Sequence, residues 1–275
     1  MKIGIIGYGN MGSAIAGRIK SKYRVLVFDK DRTKTKDLKG IELTSSAQEL
    51  VENTDVIILA VKPQDFDALL GEIKEYIKGK LVISIAAGIE TEYIENTLRD
   101  AGVVRAMPNL GAKIGESVTC ISRGRLATEK DLTFAEELFN CLGKTRKIEE
   151  EKMNAVTAVS GSGPGYIFYF MEVNSLDPVS MTAEVKNDII EHLERAALGV
   201  GFSPEEAKFL AVSTTGSSIR LATMTNIPPA ELKKQVASQG GTTEAGLKVL
   251  ESGGSWEEAA QSALRRAEEL SKKKK

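Results

Sequence analysis

Residues 2–12 read Lys2-Ile3-Gly4-Ile5-Ile6-Gly7-Tyr8-Gly9-Asn10-Met11-Gly12. A short apolar run ends in G-x-G-x-x-G, and residues 10–21 can continue as a helix. The glycine spacing alone means little; a strand before it and a helix after it make it a dinucleotide loop. Gly7 permits the tight turn, Gly9 lets a pyrophosphate approach the backbone, and Gly12 lets helix and strand pack closely. The free N–H groups at the helix start then face the anion. Residues 23–28 supply a second strand, and Asp29 ends it where an acid reaches the adenosine ribose. Asp29 by itself favours NADH. Lys30 and Arg32 follow at once and suit a 2′-phosphate, so NADPH and NADH both stay open. A surface pairing of Asp29 with Lys30 or Arg32 is the plainer alternative.

Outward from this loop, strands and helices alternate. Residues 54–61 and 80–87 are continuous apolar runs, as expected of strands buried on both faces. Between them, 63–77 carries Phe66, Leu69, Leu70, Ile73 and Ile77 at helical spacing, with Pro63 where a helix can start. A helix over 91–100 and a short strand over 103–106 follow. This alternation predicts a doubly wound, mostly parallel sheet built from right-handed crossovers. From about residue 150 no strand is legible. Residues 150–159, 164–173, 182–199, 204–223, 229–236, 243–252 and 256–271 all read as helices. The expected division is an α/β dinucleotide-binding domain over 1–155 and an all-helical domain over 156–275.

Composition narrows the function. The 275 residues carry 37 Lys+Arg against 38 Asp+Glu, a net charge of −1, which announces neither a nucleic-acid nor a membrane partner. The two cysteines, Cys120 and Cys141, form no C-x-x-C pair, and the single His192 cannot build a zinc site, so no metal is expected. His192 reads as a surface or interface residue rather than a base, and Trp256 as packing. No apolar run is long enough to span a bilayer and strand-like sequence begins at Lys2, so the expectation is a cytoplasmic, reduced protein. The Lys272–Lys275 run reads as a solvated tail.

Further motifs sit at strand ends, the edge where open sheets bind ligands. Ala60-Val61-Lys62-Pro63 places Lys62 to meet a cofactor and its backbone to lie along the nicotinamide half; a plain strand-to-helix turn is the alternative. Ser84-Ile85-Ala86-Ala87-Gly88 is small enough to admit a flat ring. Arg105-Ala106-Met107-Pro108-Asn109 makes a rigid turn with an amide near the cleft, while Arg105 either binds an anionic substrate or braces the sheet. In the helical half, Ser160 and Ser162 of Ser160-Gly161-Ser162-Gly163-Pro164-Gly165 can cap the helix that follows. Ser238-Gln239-Gly240-Gly241-Thr242-Thr243 opens another helix: freed backbone N–H groups plus the helix start make a carboxylate cradle, and the threonines add hydroxyls. An ordinary capped loop is the alternative for either.

Taken in order, these pieces resemble the pyrroline-5-carboxylate reductases along nearly the whole chain. The resemblance implies a Rossmann domain followed by a helical domain that interlocks two subunits, in some members as rings of dimers. It implies reduction of the cyclic imino acid 1-pyrroline-5-carboxylate to L-proline with NADPH or NADH, the last step of proline biosynthesis. It places the substrate carboxylate on the Gly240, Gly241 and Thr242 backbone, with Asn226 nearby, and the Thr243 hydroxyl against the ring nitrogen. Three departures stand out: Gln239 where the family has Pro, Gly165 where Ala is common, and Asn174 to Ile189. There Asn174-Ser175-Leu176-Asp177-Pro178 should break a helix that the family runs through, Thr182 should cap a new one, and Val185, Ile189, Leu193, Ala196 and Val200 form an apolar stripe in the dimerisation element.

The chemistry agrees with the residue inventory. Hydride reduction of a basic imine demands no strong general acid, and a Thr hydroxyl suffices to orient the nitrogen. A β-hydroxyacid dehydrogenase would need a proton-transfer lysine, for which Lys152-Met153-Asn154 is a poor substitute. A non-catalytic dinucleotide sensor would need no glycine-threonine loop.

Overall fold

In the computed structural model, which describes residues 1–36 and 38–272, the first half is one eight-stranded sheet. Its elements are β1 (Lys2–Ile6), α1 (Asn10–Ile19), β2 (Arg24–Phe28), β3 (Glu42–Leu43), α2 (Ala47–Glu52), β4 (Val56–Leu59), α3 (Phe66–Ile73), β5 (Leu81–Ser84), α4 (Thr91–Leu98), β6 (Gly102–Met107), β7 (Ser117–Arg123), α5 (Glu129–Phe139) and β8 (Gly143–Lys147). The order β3-β2-β1-β4-β5-β6-β7-β8 turns back at β1, the crevice where doubly wound sheets hold ligands. All pairings are parallel except β6 with β7. The central strands are Val- and Ile-rich because helices cover both faces. Ile3, Ile5, Val56, Ile58 and Ile83 pack toward α1 and α5, while Ile6, Ile57, Leu59 and Val82 pack toward α2, α3 and α4.

The helical half follows with α6 (Met153–Val156), α7 (Gly163–Val173), α8 (Ala183–Gly199), α9 (Pro204–Thr225), α10 (Pro229–Val236), α11 (Thr242–Glu251) and α12 (Trp256–Lys272). Ser203 and Glu206 cap α9 reciprocally, with Pro204 at its first position. The expected break after α7 is present: Asn174 closes the helix, Ser175 adopts a left-handed φ of 50°, and the Thr182 hydroxyl accepts the Val185 N–H to open α8. The expected stripe folds inward. Ile189, Leu193 and Ala196 are buried in this chain's own helical core with Trp256, flanked by Val185 and Val200. His192 stacks on Trp256, with ring centroids 5.6 Å apart, and its Nδ1 faces Arg195 at 2.8 Å.

Several expectations need correction. The strand 54–61 shortens to Val56–Leu59 and 80–87 to Leu81–Ser84, which leaves Ala60–Lys62 and Ala86–Ala87 as loops at the sheet edge. The helix over 63–77 is α-helical only over Phe66–Ile73, with 3-10 turns at both ends. The stretch 150–161 runs from a 3-10 turn through α6 into a π-helical turn over Thr157–Gly161, so the glycine-serine motif bulges the chain rather than breaking it. This half also has three strands, β3, β7 and β8, and two helices, α2 and α5, that the sequence reading leaves unassigned. The predicted Lys272–Lys275 tail lies outside the described residues beyond Lys272. Among the described residues, no helix is long and apolar enough to cross a membrane.

Candidate functional site

The loop after β1 and the starts of β2 and β4's connecting turns enclose a cavity of about 460 Å³, lined among others by Gly7, Gly9, Asp29, Lys34, Ala60 and Lys62. Three glycines shape it. Gly7 has a φ of 100°, and a Cβ there would lie 2.5 Å from the Ala60 carbonyl oxygen. A Cβ on Gly12 would lie 2.0 Å from the Gly7 carbonyl oxygen, so α1 meets the strand end at backbone contact distance. A Cβ on Gly9 would meet no protein atom within 4 Å, because Gly9 faces the opening. Gly9 caps α1 with no side-chain bond and no acid stands in the first turn, so the positive helix end is uncompensated. An open backbone, a bare helix N-terminus and a cavity of this size fit a dinucleotide pyrophosphate.

Asp29 is only 6% exposed and its carboxylate is engaged at both oxygens. One accepts the Tyr8 N–H at 2.6 Å, which ties the glycine loop to the end of β2; the other accepts the Asp31 N–H at 2.8 Å. The surface pairing with Lys30 or Arg32 is corrected by this geometry. Lys30 reaches across to Asp65 at 2.6 Å, which raises its pKa, and Arg32 donates to the carbonyls of Thr44 and Ser45. The cation beside Asp29 is Lys34, at 3.6 Å and lining the cavity. Sequence reasoning overlooked it, although basic residues at 30, 32 and 34 alternate as a signal.

Other expected residues are placed differently. Arg105 is fully buried and donates to Glu150 at 3.1 Å and to Asn154 at 2.8 Å, so it braces the junction of the two halves and is unavailable to a substrate. Asn109 is 1% exposed; its side-chain oxygen accepts the N–H groups of Gly111 and Val118 and shapes the turn, while its Nδ2 has no partner. Ser162 stands at the N-cap of α7, but neither its hydroxyl nor that of Ser160 makes a capping bond. Ser160 leans on the Val118 carbonyl, and Ser162 turns toward α11.

At α11, Thr242 and Thr243 are buried, and their hydroxyls converge on Ser162 at 3.0 and 3.1 Å. Their N–H groups lie in the first helical turn, which has no intrahelical partners for them. The expectation that the Gly241 N–H is free fails: it donates to the Ser238 carbonyl at 2.9 Å. The Gly240 N–H is taken by the Glu244 carboxylate, which Lys248 first and this bond second hold below the ordinary carboxylate range. Arg266 fixes the same loop through the Gly240 carbonyl at 2.8 Å. Asn226 ends α9 in a left-handed conformation with its side chain in the open. No hydrogen bond or ion pair among the described residues joins the 240–243 loop to 60–62 or 86–87. Near the glycine loop it is α10 that reaches the first half: the Gln235 carbonyl oxygen accepts from Asn10 Nδ2 at 3.4 Å and its Oε1 from Lys113 Nζ at 2.6 Å.

Comparison with known proteins places both halves. Residues 2–88 match the family model described as NADP oxidoreductase coenzyme F420-dependent, and residues 150–183 and 187–274 match that of pyrroline-5-carboxylate reductase dimerisation. The pyrroline-5-carboxylate reductase of Aquifex aeolicus is 35% identical over 92% of this chain and 90% of its own. That of Methanosarcina acetivorans is 36% identical over 99% and 98%. Among solved structures, the NADP-bound pyrroline carboxylate reductase of Plasmodium falciparum superposes with a TM-score of 0.66 at 27% identity, covering 98% of both chains. The reductase of Coxiella burnetii gives 0.64 at 30% identity. Identity at this level along both full lengths, on a sheet with a glycine cradle and a helical half with a threonine-lined loop, shows that the chain belongs to the pyrroline-5-carboxylate reductase family.

Proposed function

We propose that this protein reduces 1-pyrroline-5-carboxylate to L-proline, the last step of proline biosynthesis, using NADPH or NADH. When bound, the cofactor supplies a hydride to the C=N carbon, and the π electrons settle on the ring nitrogen, which keeps the proton it arrived with. The Gly7–Gly12 loop, with the N–H groups from Gly9 through Met11 around it and that of Tyr8 tied to Asp29, holds the pyrophosphate. Asp29, Lys30 and Lys34 stand at the adenosine ribose. Ala60, Val61, Lys62 and Pro63 line the path toward the nicotinamide, Ala86 and Ala87 leave space for its ring, and Asn109 supports the neighbouring turn. The Thr242 N–H receives the substrate carboxylate on the turn that the internally bonded Gly240 and Gly241 shape, with Asn226 at the rim, and the Thr243 hydroxyl meets the ring nitrogen. The carrying observation is that Thr243 is buried in a cluster of neutral hydroxyls, with no His, Lys or carboxylate among the described residues bonded to it. That suits an imine, which needs orientation rather than a strong acid. The dehydrogenase reading loses its candidate lysine, because both Glu206 oxygens hold Lys152 at 2.8–2.9 Å.

The test is turnover of racemic pyrroline-5-carboxylate with each cofactor, and L-proline oxidation at high pH. Turnover in both directions is expected, and its absence with both cofactors would defeat the proposal. Asp29 keeps a buried anion at the ribose and Lys34 offsets part of it, so NADH should serve at least comparably to NADPH. A kcat/KM a hundredfold higher for NADPH would reverse that ordering.

The working form is a homodimer, with a ring of dimers as a larger assembly and 182–199 in or beside the interface. The α8 stripe is covered within its own chain, so the surface for a second copy is carried by exposed Val173, Val179, Leu198, Val212 and Met224. Sedimentation at micromolar concentration should give a dimer or larger; a stable, active monomer would contradict this. Free Cys120 and Cys141 accord with a cytoplasmic location.

A further inference from the structure

Ser162 lies behind the glycine-threonine loop, fully buried, where it contacts both threonine hydroxyls. The contact with Thr243 is directional: the angles at the two oxygens let Thr243 Oγ1 donate to Ser162 Oγ at 3.1 Å. Ser162 can pass its own proton to Thr242 Oγ1, 3.0 Å away. A hydroxyl has one proton and two lone pairs. Once the Thr243 proton points at Ser162, the Thr243 oxygen has only lone pairs left to offer. We propose that Ser162 is a positioning residue that fixes the Thr243 hydroxyl as a hydrogen-bond acceptor, so that the site selects the protonated, N–H-bearing form of the cyclic imine.

Gly165 completes the device. A Cβ there would lie 2.5 Å from Thr243 Cγ2, so glycine is what lets the Thr243 methyl sit over α7 while its oxygen faces Ser162. The substitution of Gly for the common Ala is therefore a rotamer setting for Thr243 rather than a mere loosening. The charged groups nearby are occupied elsewhere. Glu244 binds Lys248 and the Gly240 N–H, and Arg266 binds the Gly240 carbonyl and Glu269. The Tyr166 hydroxyl on α7 lies beside Ser162 without completing a hydrogen bond, and burial pushes it far above its ordinary pKa, so it stays neutral. From α10, Val236 adds an apolar wall beside Gly165. The group that titrates in this arrangement is thus the substrate nitrogen.

This inference rests on the imine-reductase reading, and the test separates the two. The pH profile of kcat/KM is measured for the parent, Ser162→Ala, Thr243→Ala and the double variant, with NADH and pyrroline-5-carboxylate. Ser162→Ala should lose about tenfold, the scale of one charge-assisted hydrogen bond, at pH values where the imine is protonated. The gap should close at higher pH, where a freed Thr243 hydroxyl can donate to the neutral nitrogen. In the Thr243→Ala background the further loss should vanish. Gly165→Ala, which keeps every hydroxyl but displaces the Thr243 methyl, should reproduce the acid-side loss if Ser162→Ala folds poorly. A loss equal at every pH, or one that adds in full to that of Thr243→Ala, would overturn the role of Ser162. A Thr243→Ala variant as active as the parent would instead overturn the imine-nitrogen contact itself.

Discussion

Thr243→Ala should lower kcat/KM for pyrroline-5-carboxylate roughly ten- to a hundredfold. The change removes a hydrogen bond to a charged ring nitrogen, worth about 1.5–3 kcal/mol, and each 1.36 kcal/mol is tenfold in rate. The fold should tolerate it. Thr243 opens α11 rather than standing in its middle, and Ser162 keeps its contact with Thr242 at 3.0 Å. Cofactor affinity should be unchanged, because among the described residues no hydrogen bond or ion pair links the 240–243 loop to the glycine cradle. Thr243→Ser should retain most activity, since it preserves the hydroxyl and loses only the methyl over Gly165. Steady-state kinetics with a cofactor titration decides the matter: parental turnover by the Ala variant would leave the loop as a carboxylate cradle alone.

Gly12→Ala is expected to abolish useful cofactor binding, while Gly17→Ala on the same helix should be harmless or mildly stabilising. Both exchange a helical glycine for alanine, so intrinsic helix propensity favours both, by about 1 kcal/mol. Space decides between them. The new Cβ at Gly12 would lie 2.0 Å from the Gly7 carbonyl oxygen, a backbone atom that cannot swing aside, whereas at Gly17 nothing lies within 4 Å. Relieving that contact must push α1 off the end of β1 and carry the Gly9 cradle with it. Overpacking of this kind costs about 1–3 kcal/mol of stability, and a misplacement of about 1 Å at a binding site is worth roughly a hundredfold. Thermal melts and NADH fluorescence titrations of the two variants give the comparison. Equal cofactor affinity in both would show that the close contact at Gly12 is dispensable.

The dinucleotide half was legible because its signals are local. Gly7 and Gly12 are required by close backbone contacts with each other and with the residue after β4, Gly9 leaves the ligand side open, and Val- and Ile-rich runs mark strands covered on both faces. The helix starts at Thr182 and Ser203 and the break at Asn174–Pro178 were equally visible, since capping hydroxyls and prolines act over three or four residues. The helix α5 carried the same kind of signal and went unassigned: Thr128 and Asp131 form a capping box, and Leu132, Ala135, Leu138 and Phe139 follow at helical spacing. The strand β8 carried none. Its sequence, Gly143 to Lys147, has no apolar residue, and it is a strand because β7 offers it an edge to pair with.

The roles of the polar side chains were decided by the tertiary structure. From the sequence, Asp29 had Lys30 and Arg32 as neighbours and Arg105 stood at a ligand edge; packing gave Asp29 to the Tyr8 N–H and buried Arg105 against Glu150. The sequence by itself determined the family, the dinucleotide loop and the hydroxyl-lined turn, because periodicity, glycine geometry and capping are short-range requirements. Only the tertiary structure decided which hydroxyl faces which. Ser162 and Thr243 are separated by 81 residues, and no local rule brings them to 3.1 Å. That meeting is set by how α7 and α11 pack, with Gly246 yielding space to the Tyr166 ring and Gly165 to the Thr243 methyl.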